Sequence, residues 1–517
     1  MRKSSFNMLA STSLTLVMTA SLLAACGGGT NESGGTTPAP AADGGKAASS
    51  SGPLQIAMML DFSGKEQPKP DNPVLKEIEK YTNTKLNITQ IPSNDYCAKL
   101  PVVIASGDMP EVVASCGTPN QPYLINAVQG GAFWDITPYL KDYPNLSKMP
   151  QVSYDNIKIG GKIYGIPRYR PISRYVFTYR QDWLNNLGMK PPTTVDEFYN
   201  MLKAFTTGDP DKNGKNDTYG VSSMISNTSF SPDFGLMFGA PNNWAVKDGK
   251  FIKAEETPEY LDGLKFAKKL YDEKLLNQDF ATVDRPKYEG EFENGKAGVI
   301  NATTNNMLAF EARVQAHNKD AKIDGVSALE GPKGKRTQAD RGSNGILMFP
   351  KAKVKSEAQL KQLLGFFDKL SDKPMADLFE WGIPGTHYEV KDGKAIRTNQ
   401  QAYDNEVRFP YSLLLQTVPV ADIKTPGTVD PTTQRSLNIE ADNAKYAVID
   451  PAMVLISDTW NKQGQELLQI LNDAKVKFVM GKIDENGWNQ AVAQYKKAGG
   501  DKAAQELAAE YAKLPAK

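Results

Sequence analysis

Between Leu54 and Ser115 short apolar runs alternate with amphipathic ones, and this alternation constrains the fold more than any other feature of the chain. Leu54 to Leu60 is an apolar strand that ends in the loop signal Asp61-Phe62-Ser63-Gly64. Asn72-Pro73 then opens a run with apolar residues at 74, 75, 78 and 81, the single buried face of a helix. Leu86 to Ile91 alternates as a second strand, Tyr96 to about Ser106 reads as a second helix, and a turn at Gly107 leads into a third strand over 111–115. Such an order predicts a parallel sheet with right-handed crossovers. Ligands of these sheets lie beyond the carboxyl ends of the strands, which nominates Asp61, Asn94 and the segment Ser115-Cys116-Gly117. The same geometry puts Cys97 and Cys116 on one edge of the sheet. Two readings stay open there: a disulfide contributing about 3 kcal/mol if unstrained, or two independent buried thiols.

The residues ahead of this sheet cannot join it. Positions 27–52 are Gly, Ser, Thr, Ala and Pro with almost no apolar bulk, a flexible leash whose roughly 26 residues span about 30 Å. Before them, Arg2 and Lys3 precede an apolar core from about Met8 to Leu23, which reads as a secretory signal over 1–25 and is too short and polar to be a membrane span. Leu23-Ala24-Ala25-Cys26 is similar to the lipobox of bacterial lipoproteins. That resemblance implies a Cys26 acylated through its thiol, with the mature chain held at the extracellular face of the cell membrane; the alternative is an ordinary signal with a chance Cys. Several acyl chains, at about 0.8 kcal/mol per buried methylene, make such an anchor effectively permanent.

The remaining body, 53–517, is too long for one core and should divide into two or three domains. With 60 basic and 59 acidic residues the net charge is +1, so nothing in the balance or in any basic stripe points to nucleic acid. The chain has 2 His, His317 and His387, which argues against a His-centred zinc site or triad. Gly160-Gly161 within Ile157 to Pro167 signals a hairpin. Arg168 to Tyr179 is a strand-like run dense in Arg and Tyr, a helix follows through Leu187, and Thr194 with Asp196 and Glu197 starts another.

Lys162-Ile-Tyr-Gly-Ile-Pro167, Tyr179-Arg-Gln-Asp-Trp-Leu-Asn-Asn-Leu-Gly188 and Pro191-Pro-Thr-Thr-Val-Asp-Glu-Phe198 occur in an order that resembles the extracellular solute-binding lipoproteins of ABC importers, the large sugar-type branch. Gly295 to Ile300, Gly342 to Pro350, Gly382-Ile-Pro-Gly-Thr-His-Tyr388 and Met480 to Trp488 extend the resemblance to the C-terminus. It implies an α/β, two-lobe periplasmic-binding-protein-like fold with a ligand cleft between lobes joined by crossing segments. Combined with the residue patterns, the expectation is an N-terminal lobe of 53–172 and 346–390, a C-terminal lobe of 173–345 and 450–517 with C-terminal helices, and no assignment for 391–449. The first crossing is expected in 168–179 and the return crossing in 342–350, followed by a helix from Ser356 to Leu370.

Asp209-Pro-Asp-Lys-Asn-Gly-Lys-Asn-Asp217 is the sharpest local motif. Asp209, Asp211, Asn213 and Asp217 fall at oxygen positions of an EF-hand loop, Gly214 at its turn and the Lys215 carbonyl at position 7, while Gly220 replaces the bidentate Glu. Structural Ca²⁺ is expected, against the alternative of a metal-free Asx-rich turn; alginate-binding members of the resembled family carry a similar loop. For a sugar, ring faces and polar rims nominate Trp134, Tyr164, Arg168, Tyr169, Arg170, Tyr175, Asn243, Trp244, Asn305 and Trp381, each of which has an ordinary packing role as its alternative. Arg168 and Arg170 raise the possibility of a carboxylated ligand, against simple ion pairing. The expected function is capture of an oligosaccharide by a monomer for ABC transporter permease subunits, without catalysis and without nucleic acid. The alternatives are a lipid-anchored glycosidase, which needs two carboxylates about 5–9 Å apart, and the same fold holding a peptide or another polar solute.

Overall fold

The computed structural model describes residues 52–62, 67–117, 119, 121–225, 230–231, 234–415 and 424–514. The signal, the tether and Cys26 lie outside the described residues, as does the side chain of Asn94. Two sheets organise the rest. The first contains β1 (Leu54–Phe62), β2 (Thr84–Pro92), β3 (Val112–Ala114), β4 (Gly165–Tyr169) and, returning late in the chain, Ser343–Met348. The second contains β5 (Tyr175–Arg180), β6 (Tyr219–Val221), β7 (Ala297–Thr303) and β8 (Ile323–Val326), so the late strand is named β9.

In the first sheet the order is β2-β1-β3-β9-β4. β1 pairs in parallel with β2 and β3, as the alternating sequence requires, and β9 runs antiparallel to β3 and β4. Pro167 is tolerated because β4 is an edge strand. Asn72 caps the helix Pro73–Thr82, its side-chain oxygen accepting from the Val74 N–H at 2.8 Å. Tyr96 is buried, its hydroxyl donating to the carbonyls of Ala114 at 2.7 Å and Met59 at 3.0 Å, which ties helix Ser93–Ser106 under the sheet. Cys97 and Cys116 meet in a disulfide with Cα atoms 5.4 Å apart. Gly160 and Gly161 both take positive φ, 57° and 78°, in the two-residue turn that bridges Ile159 and Lys162.

The second sheet has the order β8-β5-β7-β6. Its core is aromatic: Phe177 packs on Phe198 at 4.9 Å and Trp183 meets Phe205 edge-on at 5.6 Å. Helix Val195–Thr207 starts at Thr194, whose hydroxyl accepts from the Glu197 N–H at 3.1 Å. The C-terminal helices Asp458–Val479 and Glu485–Tyr495 bury Phe478, Val479 and Trp488 in this second core. The segment without a lobe in the sequence reading divides. Tyr403, Val407, Tyr411 and Leu414 pack into the first core, whereas helix Pro431–Asn443 lies on the second sheet, with the Asn443 amide oxygen accepting from the Ala328 N–H at 2.9 Å.

The first crossing falls inside the expected run and the return crossing does not. The run 168–179 is not one strand, because Pro171 removes a donor and breaks it; β4 stays in the first sheet and β5 belongs to the second. The return lies before Ser343, not in 342–350, since Ser343 already pairs with Tyr169 in the first sheet. The two crossing segments run side by side: the Arg170 N–H donates to the Gly342 carbonyl at 3.1 Å and the Asp340 N–H to the Ile172 carbonyl at 2.6 Å.

Candidate functional site

Beside these paired crossings opens a cleft of about 960 Å³. Gln121 and Pro122 come to it from the first sheet's side, and Tyr175 and Phe177 from β5. Arg336 to Arg341 of the return crossing, Asn242 to Trp244, Asp450 and Trp460 complete the walls used below. Asn242 holds two walls together: its buried amide nitrogen donates to the Ala339 carbonyl at 2.9 Å and the Val448 carbonyl at 2.8 Å. Trp244 is 4% exposed and packs edge-on against Trp460 at 5.7 Å. The Lys253 ammonium lies 5.6 Å from the Trp244 ring and 5.9 Å from the Trp460 ring. Lys253 is itself buried and shares Glu255 with Lys475, at 3.0 and 2.8 Å. Burial pushes the Glu255 carboxyl up, but the two ammonium groups prevail and hold it at about 2. Trp460 is half-buried and lines the cleft, as Tyr175 and Phe177 do, and its indole is the widest of these rings for a ligand to stack on.

Charge at the crossings is distributed unevenly. Arg168 is 2% exposed and donates to Asp61 at 2.7 Å. A β-bulge between Ser343 and Ile346 turns Asn344 toward it; with the amide oxygen assigned to that side, Asn344 accepts from Arg168 at 2.7 Å and Arg170 at 3.0 Å. Gly345, at φ 87°, permits the bulge, because a Cβ there would stand 2.7 Å from the Ser115 hydroxyl. Arg174 pairs with Asp340 at 2.7 Å. Burial, followed by the proximity of Arg174 and Arg168, brings the Arg170 guanidinium down to about 10. Burial also lowers Arg341 and raises Asp450 to about 6, and the two, both in the cleft lining, act on one another electrostatically.

The sequence-nominated residues separate into groups. Tyr175, Asn243 and Trp244 line the cleft. Asp61, Arg168 and Arg170 cluster at the crossing but are engaged with one another and with Asn344. Tyr169 is half-buried beside Glu440, and Asn305 is exposed at the end of β7, where it accepts from Arg174 at 3.4 Å. None of Asp61, Arg168, Arg170, Tyr169 and Asn305 is in the lining of the cleft, and three further nominated residues lie away from it. Trp134 packs on the first core with its indole N–H on the Val354 carbonyl at 2.8 Å. Tyr164 precedes β4 and so sits at the end of the strand away from the crossing, one five-residue strand or roughly 16 Å distant. Trp381 is 5% exposed, clustered with Tyr388 and Ala395, and bonded to the Thr425 carbonyl at 2.9 Å.

The model of the family described as "Bacterial extracellular solute-binding protein" matches residues 63–368. Lipoprotein LipO of Bacillus subtilis (strain 168) is 38% identical over 462 residues, covering 87% of this chain and 91% of LipO. This chain belongs to the bacterial extracellular solute-binding proteins. A second relative, the polygalacturonan/rhamnogalacturonan-binding protein YtcQ of the same organism, is 37% identical over 445 residues, 85% of this chain and 88% of YtcQ. A solved extracellular solute-binding protein from Bifidobacterium longum subsp. infantis shares the fold, with a TM-score of 0.69 at 17% identity over 90% of this chain and 99% of that one. The family is one of binding proteins, not enzymes. Among the described residues no helix is long and apolar enough to cross a membrane.

In this solute-binding protein the Asp209–Asp217 loop folds on itself. Asp209 accepts from the N–H groups of Asn213 at 3.0 Å and Gly214 at 3.1 Å, and the Asn213 amide nitrogen donates to Asp211 at 2.8 Å and Asp217 at 3.2 Å. Lys296 pairs with Asp217 at 2.8 Å. One oxygen of Asp211 is buried with no donor among the described residues, and burial raises that carboxyl. Among the described residues no three His, Cys, Asp or Glu side chains are grouped as a metal site, so an ion here would have to draw the loop oxygens together. Among the cleft residues that escaped the sequence reading are Arg336, Arg341, Asp450 and Trp460. The Arg-rich segment Lys335-Arg336 to Arg341-Gly342 was the available signal for two of them, had the return crossing been set a few residues earlier.

Proposed function

We propose that this protein captures an oligosaccharide in the cleft beside the crossings and delivers it to the permease of an ABC importer, from a lipid-anchored position outside the cell. The observation that carries the reading is the cleft wall itself. A partly exposed indole, Trp460, stands among the amides of Asn242 and Asn243, Tyr175 and the guanidinium groups of Arg336 and Arg341, which suits a ligand with flat C–H faces and a hydroxyl rim. The printed specificity of YtcQ supports a glycan.

The two sheets with their own cores are the two lobes, joined by the segments 170–174 and 327–342, and ligand closes them about these crossings. The closed form is the one the permease reads. Cys26 carries the anchor. Asp209, Asp211, Asn213, Asp217 and the Lys215 carbonyl hold a structural Ca²⁺, which would tie the loop to the helix Val195–Thr207 that precedes it.

Calorimetric titration of the full chain in detergent with neutral and acidic oligosaccharides, with product analysis in the same samples, tests the reading. One-to-one saturable binding without new reducing ends is expected. Binding of peptides with no response to any glycan would overturn it, and steady release of reducing ends would replace capture by hydrolysis.

A further inference from the structure

A guanidinium withdrawn from water is expected to find a carboxylate or carbonyl partner. Arg168 and Arg174 do so, on Asp61 and Asp340. Arg341 does not: it lines the cleft, is half-buried, and its side chain makes no hydrogen bond or ion pair with any described residue. Two carboxylates lie close enough to act on it, and both are committed elsewhere. Asp340 accepts from Arg174 at 2.7 Å through Oδ2 and from the Arg341 N–H at 2.7 Å through Oδ1. Asp450 accepts from the Ala452 N–H at 2.9 Å through Oδ1 and from the Asn243 amide at 3.2 Å through Oδ2. Arg336 repeats the pattern on the same wall. Its Nε is buried without a partner among the described residues, and Nη2 reaches the Ala240 carbonyl only at 3.5 Å.

We propose that Arg341 and Arg336 form a carboxylate subsite of the cleft, which selects uronate-bearing oligosaccharides over neutral ones. The subsite rests on the reading of the cleft as an oligosaccharide site. A carboxylate matches the planar fork of a guanidinium through two parallel hydrogen bonds, which a hydroxymethyl group of the same sugar cannot do. Arg170, crowded by Arg174 and Arg168 and sharing Asn344 instead of a carboxylate, adds uncompensated positive charge beside the crossing. Trp460, packed edge-on against Trp244 in the same lining, offers a ring face for the sugar that bears the acid. Neither arginine that the sequence singled out fills this role, because Asp61 and Asn344 already occupy Arg168 and Arg170.

The test is titration of the full chain with a galacturonate trisaccharide, with its carboxyl-reduced galactose counterpart and with a triglutamate peptide, at low and high salt. The acidic trisaccharide should bind at least about tenfold more tightly than the reduced one, as expected of hydrogen bonds to a charged group. Salt should narrow that ratio. Arg341→Gln and, separately, Arg336→Gln should collapse the ratio, with a melting temperature close to that of the parent showing that each variant is folded. Equal affinity for the two trisaccharides in the parent protein, or a ratio unmoved in both variants, would overturn the subsite and leave oligosaccharide capture standing. Binding of triglutamate with no response to either sugar would overturn both.

Discussion

Arg168 and Arg341 stand at the same crossing on neighbouring segments, yet the fold treats them oppositely. Arg168 closes the end of β4 with Asp61 and Asn344, and its guanidinium is spent on holding the first sheet to its bulged neighbour. Arg341 closes the return crossing with its backbone, since its N–H binds Asp340 and its carbonyl accepts from Asn156 at 2.8 Å, and its side chain is left to the cleft. The two indoles Trp381 and Trp460 show the same contrast: one is enclosed with its N–H on a carbonyl, the other has a face open to the cavity. Residue type does not distinguish structural from ligand-facing side chains here. What distinguishes them is whether the surrounding fold has already used their polar and apolar surfaces.

The comparison is broken most severely at the buried charge beneath the cleft. Glu255→Ala leaves Lys253 and Lys475 buried without a counter-charge and should cost about 3–5 kcal/mol in denaturant unfolding. Because the Glu255 carboxyl is held below the usual carboxylate range, its stabilisation is present above about pH 4.5 and is lost as the pH falls toward 2. The two indoles give the next largest effect. Trp381→Ala should cost about 3–5 kcal/mol of stability with little change in glycan affinity, whereas Trp460→Ala should lower affinity by about 1–3 kcal/mol at a smaller cost in stability, read by calorimetry against thermal melts. Arg168→Met should destabilise by about 3 kcal/mol, since Asp61 then loses its partner, while Arg341→Met should move unfolding by less than about 0.5 kcal/mol. Equal losses for the two arginines would erase the distinction.

The smallest effect sharpens it. Asp450 titrates at about 6, raised chiefly by burial, so its ionisation opposes folding: the protein should gain stability as pH falls through 6, and that gain is lost as pH rises through it. Asp450→Asn should therefore add about 1–2 kcal/mol at pH 7 and flatten the pH dependence of the melting temperature between 5 and 7. In the same titrations an acidic glycan should bind the parent more tightly as Asp450 becomes neutral.

Much of the scaffold was legible in the sequence because it rests on local rules. Alternation at 54–60 and 86–91, the Asn72-Pro73 cap, the Gly160-Gly161 turn and the Thr194 helix start each depend on neighbours a few residues away. The candidate site was legible only in pieces. Tyr175, Asn243 and Trp244 were reachable from their motif context, but Trp381 and Trp134 read the same way and are packed into cores, because an aromatic run does not reveal which partners will cover it.

By itself the sequence determined that the body opens with a parallel βαβαβ unit, that it exceeds one core, and that oxygen-bearing side chains recur at calcium-loop spacing between 209 and 217. Those are consequences of periodicity, length and spacing, all of which are local or additive. Only the tertiary structure decided which arginine side chains are left without a partner among the described residues. Arg168 meets Asp61 from 107 residues away, and Asn243 meets Asp450 from 207 away. A charge acquires its role from the partner that the fold delivers, and no spacing along the chain encodes that delivery.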